Sequence, residues 1–145
     1  SPGGFILPSP HFDVAVGPRN QIWVSNPGHH SIEIYNQAGQ LGRAVGKAGM
    51  DWPAFTGCCN PVDFAVRHDS FFVTAEKGIV RIKTYRPDGS LQSVVAGPDA
   101  FAEDTESMDL AIDPTGRILA LDIQATRIRI FARRSAESRE ESNDQ

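Results

Sequence analysis

Apolar and polar residues alternate along this chain in short runs. Ser31-Ile32-Glu33-Ile34-Tyr35, Arg81-Ile82-Lys83-Thr84-Tyr85 and Arg127-Ile128-Arg129-Ile130-Phe131 each set polar side chains on one side and apolar ones on the other. That is the two-residue period of a β-strand. Gln21-Ile22-Trp23-Val24-Ser25, Phe71-Phe72-Val73-Thr74 and Arg117-Ile118-Leu119-Ala120-Leu121 are rich in the branched and aromatic residues that strands favour. Between the runs stand turn formers: Gly17-Pro18-Arg19-Asn20, Pro87-Asp88-Gly89 and Asp113-Pro114-Thr115-Gly116. No stretch carries a 3.6-residue period with caps. The pattern predicts an all-β chain.

The runs recur. Phe12-Asp13-Val14-Ala15-Val16, Val62-Asp63-Phe64-Ala65-Val66 and Met108-Asp109-Leu110-Ala111-Ile112 open three repeats. In each, an aromatic residue follows the central Ala by 20 residues: Ala15 to Tyr35, Ala65 to Tyr85, Ala111 to Phe131. The repeats begin 50 and 46 residues apart. A period of that size made of strands predicts a β-propeller of four-stranded blades. Strands are expected at 12–17, 21–25, 31–36 and 40–46, then at 62–67, 70–75, 80–85 and 91–96, then at 108–113, 117–122 and 127–133. Blade 1 is thus read over 12–50, blade 2 over 51–98 and an incomplete blade 3 over 99–133. Residues 134–145 are a polar tail with almost no apolar surface, expected to be disordered.

Propellers close with about four to eight blades, so three blades read as half of a six-bladed ring. Residues 1–11, with the apolar run Gly4-Phe5-Ile6-Leu7-Pro8, are expected to supply the outer strand of another blade. Two routes close the ring. One is a homodimer in which each N-terminal strand completes blade 3 of the other copy; the other is a set of upstream blades in a longer chain.

Composition narrows the partners. A formal charge of −4 gives no basic footprint for nucleic acid. No apolar run reaches the length of about 18 residues that a spanning helix needs. The chain begins with Ser, which leaves export to the periplasm open if a leader was removed. Its two cysteines, Cys58 and Cys59, are adjacent and cannot staple distant segments of one chain. They do not fix the redox compartment.

All three repeats resemble NHL repeats, whose consensus runs V-A-V-x-x-x-G-x-I-Y-V-x-D-x-x-N-H-R-I-x-V-F. Val14-Ala15-Val16, Ile22-Trp23-Val24 and His30-Ser31-Ile32-Glu33-Ile34-Tyr35 carry the likeness in blade 1. Leu110-Ala111-Ile112, Gly116-Arg117-Ile118-Leu119-Ala120-Leu121-Asp122 and Arg127-Ile128-Arg129-Ile130-Phe131 carry it in blade 3. Phe55-Thr56-Gly57-Cys58-Cys59-Asn60-Pro61, Thr74-Ala75-Glu76-Lys77-Gly78 and Val94-Val95-Ala96-Gly97-Pro98 are similar to the C-terminal half of longer bacterial NHL-repeat proteins carrying a GCCNP motif. The resemblance implies a bacterial propeller and specifies fold better than function, since such propellers include lyases, protein-binding modules and RNA-binding modules.

Propeller geometry places the loop before each first strand and the loop between second and third strands on one face, at the channel mouth. Candidate ligand-binding residues there are Asp13, His29, His30, Cys58, Cys59, Asn60, Asp63, Lys77 and Asp109, with His11 beside them. Cys58, Cys59, His29 and His30 have the soft donors that bind copper or zinc; a vicinal disulfide and a plain packing role are the alternatives. No cofactor is otherwise evident. Asp13, Asp63 and Asp109 read either as a ring for a cation or polar ligand or as strand caps that hold amides. Glu76 with Arg81, and Asp122 with Arg127, share one spacing, and both charges are missing together at Asn26 and Ser31. They are expected to be structural braces rather than acid–base catalysts. The leading expectation is a scaffold that binds a protein or a small ligand at the channel mouth. The alternative is a metal, redox or lyase-type enzyme on the same face.

Overall fold

The computed structural model describes residues 3–133. The expected polar tail, 134–145, lies outside the described residues, as do Ser1 and Pro2. The chain forms three antiparallel sheets in succession. Sheet 1 holds β1 (Val14–Val16), β2 (Ile22–Asn26), β3 (Ser31–Tyr35) and β4 (Leu41–Val45). Sheet 2 holds β5 (Asp63–Val66), β6 (Phe72–Glu76), β7 (Arg81–Tyr85) and β8 (Leu91–Ala96). Sheet 3 holds β9 (Met108–Ile112), β10 (Ile118–Asp122) and β11 (Arg127–Phe131). Each sheet is a meander, its strands hydrogen-bonded in chain order, and none closes on itself. The strands fall where alternation predicts them. No helix among the described residues is long and apolar enough to cross a membrane.

Register makes the repeats superimposable. Ala15 pairs with Trp23, Ala65 with Val73 and Ala111 with Leu119. The sheets then stack through their faces. Trp23, Ile32, Ile34 and Val45 of sheet 1 pack against Phe64, Phe72 and Tyr85 of sheet 2, with Phe55 from the connecting loop. Val73, Ala75, Ile82 and Ala96 of sheet 2 pack against Met108, Ile118 and Ala120 of sheet 3. These two apolar layers are the core, and their burial is the main force holding the sheets together.

In the single chain, residues 3–11 form no strand of their own. Residues 4–8 cross over the β2–β3 end of sheet 1. Gly28 N–H donates to Ile6 O at 3.0 Å, and Ile6 N–H donates to Asn26 Oδ1 at 3.1 Å. Pro8 and Pro10 lack the N–H a ladder strand needs. This run is the sheet 1 version of the loop that crosses sheet 2, where Thr56 N–H donates to Glu76 Oε2 at 2.8 Å.

Candidate functional site

A motif missed in the sequence organises the face above the β2–β3, β6–β7 and β10–β11 loops. A phenylalanine stands eight residues before each repeat aspartate: Phe5 before Asp13, Phe55 before Asp63, Phe101 before Asp109. Each plugs the sheet that follows it. Phe55 is buried, its ring 5.8 Å from Tyr85. Phe5 lies 6.1 Å from Tyr35, the matching residue of sheet 1. The carbonyl just before each Phe accepts from the sheet beneath. Gly4 O accepts from Asn26 Nδ2 at 3.3 Å, Ala54 O from Arg81 Nη2 at 2.8 Å and Lys83 Nζ at 2.6 Å, and Ala100 O from Arg129 Nη1 at 2.9 Å. The constant spacing was the signal that could have revealed this plug.

The charged residues under the plugs are the braces, in a larger form than expected. Glu76 and Arg81 are opposed across β6 and β7. Arg81 Nε donates to Glu76 Oε1 at 3.0 Å, and Arg81 Nη2 donates to Oε2 at 2.7 Å. Lys83 Nζ reaches Oε1 at 2.6 Å, and Thr56 supplies its N–H and hydroxyl to Oε2. Glu76, Arg81 and Lys83 are all buried. The Lys83 ammonium lies 4.8 Å from the Phe55 ring centre. Desolvation pushes the Lys83 pKa down to about 8, against the upward pull of Glu76. Both Glu76 oxygens are thus occupied by this set of donors.

In sheet 3 the partner differs from expectation. Arg129 Nε donates to Asp122 Oδ2 at 2.8 Å, whereas Arg127 stands 3.7 Å away and is about half exposed. The brace is therefore Asp122–Arg129, with Arg127 marginal. In sheet 1 the same three positions are Asn26, Ser31 and Glu33: Asn26 Nδ2 donates to Glu33 Oε1 at 2.9 Å, and the Tyr35 hydroxyl donates to Glu33 Oε2.

Two of the three repeat aspartates, Asp13 and Asp63, work as staples between sheets. Asp13 Oδ2 accepts from Phe64 N–H of β5 at 3.3 Å. Asp63 Oδ1 accepts from Leu110 N–H of β9 at 2.9 Å. Each carboxylate thus reaches the first strand of the next sheet, one residue past that sheet's own aspartate. The expected amide-holding role is present, with receivers a whole repeat away. Asp109 is exposed, and among the described residues no amide of a following sheet donates to it as Phe64 and Leu110 N–H donate to the other two. The three line one groove with Val14, Val16, Phe64 and Leu110. Burial pushes the Asp63 pKa up to about 8, helped by the negative charges of Asp13 and Asp109.

The remaining candidates split into two groups. His30 Nε2 is 2.6 Å from Gly57 O, tying the β2–β3 loop to the segment that carries the cysteines. His29 Nδ1 meets Asn26 Nδ2 at 3.2 Å and lies 3.6 Å from Glu33. Each imidazole is thus engaged with protein through one nitrogen. No three His, Cys, Asp or Glu side chains among the described residues gather as a metal site. Asn60 is buried and clamps its loop: Nδ2 donates to Thr56 O at 2.7 Å and Lys77 O at 3.1 Å, and Oδ1 accepts Lys77 N–H at 2.8 Å.

Cys58 Sγ and Cys59 Sγ lie 2.9 Å apart as free thiols, the first exposed and the second buried. Cys59 has counterparts in the other two repeats. Ser9 and Thr105 stand, like it, four residues before the repeat aspartate. The matching positions for Cys58 are Pro8 and Asp104, so Cys58 is the distinctive sulfur. The hydrogen bond shared with Cys58 and burial push the Cys59 pKa up, against the Lys77 charge, which favours the thiolate. Burial and the same Lys77 charge lower the pKa of His11, while Asp109 and Glu106 oppose them. On the opposite, turn-bearing side, a cleft between sheets 2 and 3 is lined by Arg67, Phe72, Val94, Ile118 and Phe131.

No protein-family model matches this chain, and no curated protein matches it.

Proposed function

We propose that the chain supplies three consecutive blades of an NHL-type β-propeller and acts as a binding scaffold. Further blades of the same kind complete a six-bladed ring, from a second copy or from upstream blades, and a protein or small ligand is taken at the channel mouth. The observation that carries this reading is the repeated interface. Ile32 and Ile82 are fully buried where one sheet meets the next, while Ile128, at the same position in sheet 3, is 64% exposed. The staples point the same way: Asp109 is the next carboxylate in the series after Asp13 and Asp63. At the other end, Val14 and Val16 are 60% and 74% exposed, whereas Phe64, the counterpart of Val14, is buried against sheet 1. Unpartnered apolar faces of this kind are normally interfaces.

The sequence puts Lys77, His11 and Asp109 in loops assigned to the same face as the thiols, which supports the mouth as a recognition surface. The competing enzyme or metal reading now leans on the two sulfurs, since His29 and His30 both have protein partners.

Sedimentation equilibrium tests the assembly. If a second copy completes the ring, the mass is twice 15.8 kDa and Ile128→Glu halves it. If upstream blades complete it, the longer chain is monomeric and Ile128→Glu destabilises it. A folded protein whose mass and stability ignore Ile128→Glu in both forms overturns the reading.

A further inference from the structure

The Cys58–Cys59 segment is held more firmly than a packing role requires. Gly57 carries a left-handed φ of 68°, which favours glycine. Its carbonyl is gripped by His30 at 2.6 Å. On the other side of the pair, Asn60 is bonded to the backbones of Thr56 and Lys77. The two sulfurs are fixed between these clamps at 2.9 Å. They are also unequal in access: Cys58 is exposed, while Cys59 is 6% exposed. Thiol–disulfide exchange needs this asymmetry, with one sulfur reachable by a partner and a second, shielded one adjacent to resolve the adduct.

We propose that Cys58 and Cys59 are a dithiol–disulfide couple that exchanges with low-molecular-weight disulfides of the glutathione or cystine class. In the first step the Cys58 thiolate attacks one sulfur of R–S–S–R. A mixed disulfide forms, and the expelled thiolate takes up the proton that Cys58 lost. In the second step Cys59 loses its proton and attacks Cys58 Sγ. The Cys58–Cys59 bond forms, the bond to the R group breaks, and the second expelled thiolate takes up that proton. The protein loses two hydrogens and is oxidised; one small disulfide is reduced to two thiols. Lys77 is tied to the pair through its backbone N–H and O, both bonded to Asn60 next to Cys59, and is a positioning residue for the second step. The inference is independent of ring closure.

The test is to equilibrate the full, reduced chain with oxidised glutathione and follow intact mass, maleimide labelling and the digest. The wild type is expected to end as the internal disulfide, with no lasting adduct and no maleimide uptake. Cys59→Ser, with Cys59→Ala as a second variant if the first folds poorly, is expected to stall as a mixed disulfide on Cys58. Its lifetime should rise at least about tenfold over the wild type. Lys77→Ala is expected to slow resolution without changing the first step. The proposal is overturned if the wild type accumulates a stable adduct on Cys58, if both thiols stay free under oxidising glutathione, or if the Cys59 variants clear the adduct as fast as the wild type.

Discussion

Sheets 1 and 2 share a frame and differ in what they bury under it. Both have four strands in the same order, an aromatic plug and a staple to the next sheet. Sheet 2 buries an acid between two cations, Glu76 with Arg81 and Lys83. Sheet 1 buries an amide, a hydroxyl and an acid, Asn26, Ser31 and Glu33, with Tyr35 completing the set. The plug over sheet 2, Phe55, is 1% exposed, whereas Phe5 over sheet 1 is 46% exposed. The difference teaches that one backbone tolerates either charge arrangement, provided the buried carboxylate finds donors, as Glu76 and Glu33 both do even though the Ser31 hydroxyl has no partner among the described residues. It also explains how the sets change together: a buried cation without its acid, or the reverse, is far costlier than either complete set.

Breaking sheet 2's set should have the largest effect. Glu76→Ala leaves Arg81 and Lys83 buried without their anion and is expected to cost about 3–5 kcal/mol in urea unfolding. Asn26→Ala removes neutral hydrogen bonds from the matching place in sheet 1 and should cost about 1–2 kcal/mol. Equal losses would refute the contrast. Next come the plugs: Phe55→Ala is expected to cost about 3–4 kcal/mol, and half-exposed Phe5→Ala about 1 kcal/mol. Within sheet 3, Arg129→Ala should cost about 1–2 kcal/mol by stripping Asp122 of its closest charge, while Arg127→Ala should fall below about 0.5 kcal/mol.

A pH dependence is expected at the sheet 2–3 staple. The Asp63 pKa is raised from 3.8 to about 8 in the fold. Between those values the unfolded chain has released a proton that the fold still holds, so stability falls as pH rises through that window. Asp63→Asn keeps an oxygen for Leu110 N–H and removes the ionisation. It is expected to raise Tm by about 3–6 °C at pH 8 and to change it little at pH 4. A larger gain at pH 4 than at pH 8 would reverse the sign and reject this account.

Much of this was legible in the residues, for physical reasons that also mark where legibility stopped. A two-residue period fixes a strand and its two sides, so all eleven strands could be placed. It does not say which side meets water. Lys83 and Glu33 sit on the polar side, and that side is covered by a plug from the preceding loop. Comparing repeats exposed the Glu76–Arg81 pair, because both members vary together, but not Arg129, which lies nearer Asp122 than the residue at the matching spacing. The run Gly4–Pro8 looked like a strand from its apolar content. Its hydrogen bonds to Asn26 and Gly28 match it to the loop at 54–58 instead. At the mouth, sequence picked out Cys58, Cys59, His30 and Asn60, but the contacts of His30 and Asn60 lie across loops that no periodicity connects.

The staples give the stack a direction. Asp13 reaches forward to sheet 2 and Asp63 reaches forward to sheet 3; an arrow drawn along these bonds never turns back. A unit inserted upside down would offer a carboxylate where an amide is needed. Growth by copying one repeat is therefore simple, since every new unit arrives with both halves of the joint. Closure is allowed only tail to head, and two identical ends cannot satisfy each other.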